Sequence, residues 1–162
     1  MGSRPTLTLT VQYATEEPGV PSRSRLRTFA QAALECPAQV TLRLVDEVEG
    51  RRLNREFRGG YTPTNVLTFD YGEADSESGH GGALAGDVVL CAPVIAAEAR
   101  AQGKPLEAHY AHLVVHGILH LQGYDHERDD QAAMMEARET EILTRLGYPD
   151  PYAAMSARAG SA

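Results

Sequence analysis

The chain has 162 residues, 43% of them hydrophobic, and a formal net charge of −7 at pH 7. This length and composition predict a single globular domain over residues 1–162, without a separate linker or second domain, and exclude a disordered tail or a generally basic nucleic-acid coat. The charge is uneven, because residues 1–58 carry nine arginines against seven acidic residues, whereas residues 59–162 carry six basic against fifteen acidic ones. We therefore expect an anionic ligand to meet the first third of the chain.

The first elements are predicted from the spacing of apolar residues. Alternating apolar and polar residues predict strands at Thr6–Tyr13 and Val40–Val45, and the helical spacing of Ser22–Leu34 predicts a helix between them. If the two strands are neighbours, this connection makes them parallel.

A second helix is predicted from a cap at Asp46 to about Phe57, where Gly59 and Gly60 follow. Its apolar residues Val48, Leu53 and Phe57 are expected to face the interior.

The second half of the chain predicts two more strands and three helices. The strands are Thr64–Tyr71 and Leu84–Cys91, separated by a Gly-, Ser- and acid-rich surface loop at residues 72–83 that we expect to be mobile. The helices run from Pro93 to Gln102, from Pro105 through the apolar segment Tyr110–Leu121, and from about residue 127 to Gly147. The predicted fold is α+β, with a small mixed four-stranded sheet packed with helices and a central helix that carries histidines.

Cysteine content and hydropathy indicate where the protein works. Cys36 and Cys91 are isolated, which favours buried thiols in a reducing compartment. No stretch approaches the roughly 18 uncharged apolar residues of a membrane span. We therefore expect a cytoplasmic protein without a membrane partner.

Five of the six histidines lie between His109 and His126, and three of them predict a metal site. His116 and His120 are one helical turn apart on the same stripe, which is the geometry of two ligands to one metal. Gly123 permits a left-handed turn that brings His126 back as a third ligand. Three imidazoles with an open fourth position are typical of a catalytic zinc site, so we predict one Zn²⁺ per chain.

The spacing of these histidines is the one that metzincin peptidases use, but the peptidase general base is missing. That base is a Glu directly after the first histidine, and Gly117 occupies the position here. A fourth protein ligand would have to be Cys91 or Asp125, and Asp125 is better suited to orient a ligand imidazole. For His109 and His112 we favour hydrogen-bonded core histidines over ligands.

The segment HGILHLQGYDH resembles the signature of the YbeY endoribonucleases, which are bacterial rRNA maturation factors that bind zinc through the three matching histidines. The blocks LNREFRGGYTPTNVLTFDY and LAGDVVLC are similar to two further blocks of that family, so that the resemblance covers roughly residues 40–152. An arginine of the first of these blocks is functional in the family, and the matching residue here is Arg58.

The resemblance implies a zinc-dependent, single-strand-specific endoribonuclease that matures the 3′ end of 16S rRNA and takes part in ribosome quality control. Its partners would be single-stranded rRNA and the ribosome or a ribosome-associated protein. Arg58 would hold phosphate oxygens as negative charge develops, whereas Arg51, Arg52 and Arg55 are either a solvated helix face or contacts to the RNA backbone. The alternatives are a metallopeptidase and a non-catalytic ribosome-assembly factor with structural zinc.

Overall fold

The computed structural model describes residues 4–58, 64–73 and 83–152. Four strands and five helices occur there, in the order β1 (Leu7–Ala14), α1 (Arg23–Ala33), β2 (Ala38–Val45), α2 (Glu47–Arg58), β3 (Val66–Glu73), β4 (Leu84–Cys91), α3 (Ala92–Gln102), α4 (Leu106–Leu121) and α5 (Asp129–Arg145). The predicted helix end at Gly59 and Gly60, and most of the predicted loop at residues 72–83, lie outside the described residues.

The strands form one mixed sheet in the order β1-β2-β4-β3. β1 runs parallel to β2 and β2 parallel to β4, whereas β3 is antiparallel to β4 at the edge. The predicted α+β fold with one small four-stranded mixed sheet is therefore confirmed, as is the parallel pairing of the first two strands. β3 begins two residues later and ends two residues later than predicted.

Side chains alternate along each strand, so the sheet has two faces. The two faces bury apolar clusters of different size. On one face, β-strand residues such as Leu44 and Leu90 join the main core with α1, α4 and α5. On the other face, Val45, Val89 and Cys91 form a smaller cluster against Leu53 of α2. The site described below lies on the side of the sheet that α4 covers.

The predicted inward face of α2 is partly wrong. Leu53 packs on the smaller cluster, but Val48 is 80% exposed and Phe57 is 61% exposed. The helix approaches the sheet through Gly50, where a Cβ atom would lie 3.1 Å from the Sγ of Cys91, so its contact face is centred on Gly50 and Leu53. The ring of Phe57 meets that of Phe69 edge to face, at 5.5 Å between centroids.

The central helix α4 is buried on nearly every side, as predicted. It packs unusually close to the sheet at Gly117, where a Cβ atom would come within 2.8 Å of the Cγ1 of Val88. A real Cβ does not approach another atom so closely, so any larger side chain at this position would push the helix away from the sheet.

Two predictions about location can be compared with the structure. Among the described residues, no helix combines the length and apolarity that a membrane crossing requires. Both cysteines are free thiols; Cys91 is buried, as expected, but Cys36 is only partly so.

Candidate metal centre

His116 and His120 lie side by side on the last two turns of α4. Their rings are nearly parallel, with an interplanar angle of 5° and centroids 6.5 Å apart. This is the arrangement that the four-residue spacing predicts, and it holds both imidazoles on a rigid, buried helix.

The turn after α4 brings His126 to the same place. Gly123 has a φ of 102°, in the left-handed region that favours glycine. Its N–H donates to the carbonyl of His120, and the N–H of Tyr124 donates to the carbonyl of Leu119, which together form a Schellman motif that ends the helix. The ring of His126 then lies 5.7 Å from that of His116 and 6.0 Å from that of His120, between centroids.

Asp125 joins this group more directly than the sequence indicated. One potential ligand atom from each of His120, Asp125 and His126 lies within 4.8 Å of the others. One oxygen of the Asp125 carboxylate accepts the backbone N–H of His126 at 2.7 Å, which orients the carboxylate. The structure therefore brings a carboxylate to the histidine cluster.

Glu139 of α5 is the functional candidate that the sequence analysis missed. Its side chain is completely buried, and one carboxylate oxygen accepts the Nδ1–H of His116 at 2.9 Å. The other oxygen accepts from the Nε2 of His112 at 2.8 Å and from the hydroxyl of Tyr152. A carboxylate that receives three hydrogen bonds fixes the rings and the hydroxyl that donate them.

Burial and hydrogen bonding act in opposite directions on the ionisation of Glu139. Burial raises the pKa of the carboxyl, but the hydrogen bonds from His112, His116 and Tyr152 outweigh it and lower the pKa to about 2. The carboxylate is therefore ionised at neutral pH and can only accept, so the tautomer of His116 that fits this contact carries its proton on Nδ1. This leaves the Nε2 lone pair of His116 available to a metal.

The three imidazoles fit a zinc ion in chemistry and nearly in distance. With N–Zn bonds of about 2.0–2.1 Å in a tetrahedral site, the centroids of ligating rings are about 5–5.5 Å apart. The observed separations of 5.7, 6.0 and 6.5 Å are somewhat larger, and the widest is that between His116 and His120. His116 is not in the group of donor atoms within 4.8 Å of one another, which His120, Asp125 and His126 form. A carboxylate that binds the remote nitrogen of a ligating histidine, as Glu139 does with His116, is the usual companion of such sites.

The histidines open onto a cleft of about 360 Å³, which we call the histidine cleft. Asn54 of α2 and Thr64, just before β3, also line it. α2 ends at Arg58, one turn after Asn54, and the side chain of Arg58 lies outside the described residues. The prediction for Arg58 therefore remains a prediction.

The other candidate residues take structural positions. Glu98 accepts a hydrogen bond from the Nε2 of His109 at 2.9 Å, and Glu139 accepts one from His112. Both histidines are hydrogen-bonded as expected, but only His109 is buried, because His112 is partly exposed. Cys91 lies in the apolar cluster on the far face of the sheet and does not belong to the cluster of histidines.

The three arginines that precede Arg58 are all exposed, which agrees with either of the two interpretations given above; they are Arg51, Arg52 and Arg55.

Comparison with known proteins agrees with the geometry. Residues 21–147 match the sequence model of a family described as Endoribonuclease YbeY. A protein of Nitrosomonas europaea named Endoribonuclease YbeY is 58% identical over 146 residues, which cover 90% of this chain and 85% of that protein. One of the same name from Aromatoleum aromaticum is 56% identical over 153 residues, which cover 91% and 93% of the two chains.

A solved structure has a similar fold. The solution structure of TM1509 from Thermotoga maritima superposes with a TM-score of 0.56 at 28% sequence identity, over 84% of this chain and 87% of that one.

Proposed function

Because the chain belongs to the endoribonuclease YbeY family, we propose that it is a zinc-dependent endoribonuclease specific for single-stranded RNA. The observation that carries the proposal is the convergence of three imidazole rings at one cleft, with Glu139 behind His116. One zinc ion per chain is held by His116, His120 and His126.

The donor set supports zinc over harder cations. Three neutral imidazole nitrogens suit zinc, whereas magnesium and calcium select oxygen ligands. When bound, the metal lowers the pKa of a coordinated water toward about 7 and polarises a phosphoryl oxygen. The Asp125 carboxylate lies beside His120 and His126, where it can accept a proton from a water or hydroxyl at the cleft.

The cations of the first third hold the phosphodiester. Arg58 ends α2, and Asn54 places the preceding turn of that helix at the histidine cleft. The planar guanidinium of Arg58 can bind two phosphate oxygens at once and stabilise the charge that develops on them. Arg51, Arg52 and Arg55, which are exposed on the same helix, would add weaker contacts to the RNA backbone.

The substrate is single-stranded rRNA, and we assign the chain to maturation of the 16S rRNA 3′ end and to ribosome quality control in the cytoplasm. A net charge of −7 gives the protein little general attraction for RNA. The ribosome or a ribosome-associated protein would therefore supply part of the affinity.

A metallopeptidase is disfavoured by the packing of α4. The glutamate general base of such enzymes would have to replace Gly117, where even a Cβ atom would lie 2.8 Å from Val88. With glycine at this position, a site for peptide hydrolysis would have a metal but no glutamate general base.

The test is cleavage of one 5′-labelled RNA as a single strand and as a duplex, with casein in parallel. The purified protein is assayed after dialysis against a chelator, after zinc is restored, and as the His120→Ala variant. We expect the single strand to be cut only by the zinc-loaded parent protein. Cleavage of casein would identify a peptidase, and full zinc content without cleavage of either substrate would identify an assembly factor with structural zinc.

A further inference from the structure

A second cavity lies beside the histidine cleft and has no part in the function proposed above. Its volume is about 700 Å³, within the range of about 300–1,000 Å³ that is usual for ligand pockets. We call it the side cavity. Much of its wall is apolar, and its polar lining residues include Asn65, Glu98, Gln102, Lys104, His109 and Asp150.

The side cavity and the histidine cleft are neighbours along two elements of the chain. Thr64 lines the cleft and the next residue, Asn65, lines the side cavity. On α4, His116 lines the cleft and His112, one turn of about 5.4 Å earlier, lines the side cavity. The two cavities are therefore lined by residues that are adjacent before β3 and one helical turn apart on α4.

The carboxylate of Glu98 is held in a fixed orientation inside the side cavity. The side-chain amide of Asn65 donates to its two oxygens at 3.1 and 3.3 Å, and the Nε2 of His109 lies 2.9 Å from one of them. The side chain of Glu98 nevertheless keeps 33% of its surface exposed, so that its remaining lone pairs are accessible to a ligand. A preorganised, accessible carboxylate is an acceptor for N–H groups.

The rest of the wall suits a flat ring. Pro105, Leu113 and Pro149 line the side cavity, together with Tyr152, whose ring meets that of His112 edge to face at 5.5 Å between centroids. The hydroxyl of Tyr152 is bound to Glu139, which holds its ring in place. Aromatic and apolar side chains around a few polar groups are how proteins bind unstacked bases of single-stranded RNA.

We propose that the side cavity binds a nucleobase of the RNA strand, one nucleotide away from the phosphate at the histidine cleft, and that Glu98 accepts a hydrogen bond from its exocyclic amino group. Adenine, cytosine and guanine carry such a group, whereas the only base donor of uracil is its ring N3–H. The cavity thus gives the site a preference for amino-bearing bases. This inference rests on the proposed endoribonuclease function.

The preference is tested by mapping cleavage sites in a single-stranded RNA with a randomised segment. We expect uracil to be depleted about tenfold at one fixed position next to the cut, which corresponds to the loss of one hydrogen bond to a charged acceptor. In the Glu98→Gln variant the depletion should disappear. Glu107→Gln is the matched control, because Glu107 is an exposed carboxylate of α4 bound to Arg25 and should leave the bias unchanged.

A second measurement separates this inference from the proposed function. The His120→Ala variant, with Glu98 present or replaced by Gln, is titrated with short fluorescent RNAs of adenosine, cytidine or uridine. We expect the uridine oligomer to bind more weakly than the other two, and we expect Glu98→Gln to abolish this difference. That result would support the side cavity even if no cleavage occurs and the proposed function is wrong. Cleavage without a base bias at any fixed position, or a bias that Glu98→Gln leaves intact in a variant that melts normally, would overturn the inference.

Discussion

Replacing Glu139 by glutamine tests whether the buried carboxylate prepares His116 for the metal. Glutamine has nearly the same size, but its amide offers one acceptor oxygen where Glu139 uses both oxygens to accept from His112, His116 and Tyr152. The amide NH₂ must then face one of these donors, or the ring of His116 must change its tautomer and place a proton on Nε2.

The expected magnitude follows from the position of Glu139 behind a proposed ligand. Loss of a carboxylate partner of a ligating histidine lowers metal affinity by about 10–100-fold, or about 1.4–2.7 kcal/mol. The metal-free protein should also lose about 1–3 kcal/mol of unfolding free energy, because one donor to the fully buried side chain at position 139 is left without its acceptor.

Zinc affinity is measured by competition with a chromophoric chelator, and stability by urea unfolding of the metal-free protein. Glu136→Gln is the control, since Glu136 is exposed on the same helix and should change neither quantity. In a double-mutant cycle with His116→Ala the effects on zinc should be far from additive. Zinc affinity within threefold of the parent in Glu139→Gln would refute the assigned role of this carboxylate.

Four further predictions concern the metal, the phosphate, a buried histidine and the helix packing. His120→Ala should lose the zinc equivalent, as measured by elemental analysis, and removal of zinc from the parent should lower its melting temperature; retention of a full equivalent would contradict the ligand assignment. Arg58→Ala should lower the rate of RNA cleavage roughly 10²–10³-fold with unchanged zinc content. Arg58→Lys should recover little of this activity, because an ammonium group cannot bind two phosphate oxygens at once as a guanidinium does. An Arg58→Ala variant that cleaves RNA like the parent would exclude Arg58 from the mechanism. Burial lowers the pKa of His109 below its ordinary value of 6.5 despite its hydrogen bond to Glu98. As the pH drops below 6.5 the unfolded state therefore takes up the proton first, and the free energy of unfolding falls. NMR titration of the ring checks the direction of the pKa shift, and His109→Gln should show a weaker dependence of stability on pH. Gly117→Glu should cost about 1–3 kcal/mol of stability without creating peptidase activity, measured by thermal unfolding and casein cleavage.

Most of the fold could be predicted because the signals are local. Alternation along the strands, the Ser22 cap of α1 and the apolar run of α4 each depend on residues close in sequence. The same holds for His116, His120 and His126, since one helix and one glycine turn are enough to bring them together.

What could not be predicted depends on contacts between distant segments. The apolar residues Val48 and Phe57 have helical spacing with Leu53, but both are exposed in the structure. The face of α2 that meets the sheet is set by the packing of Gly50 on Cys91, which the sequence of the helix does not indicate. The sequence does carry one overlooked signal for Glu139, which falls on the buried stripe of α5 between Met135 and Ile142. A buried acid on an apolar stripe needs hydrogen-bond partners, and here these are His112 and His116 on α4.

The division of the three histidines between a helix and a turn has a consequence for how the metal arrives. His116 and His120 are carried by the buried helix α4, whereas His126 is exposed and follows the glycine turn at Gly123. Under the proposed ligand assignment, an incoming ion would meet two imidazoles already carried by one buried helix, and the turn from Gly123 to His126 would supply the third. Exchange of the ion would then depend more on this exposed turn than on the helix.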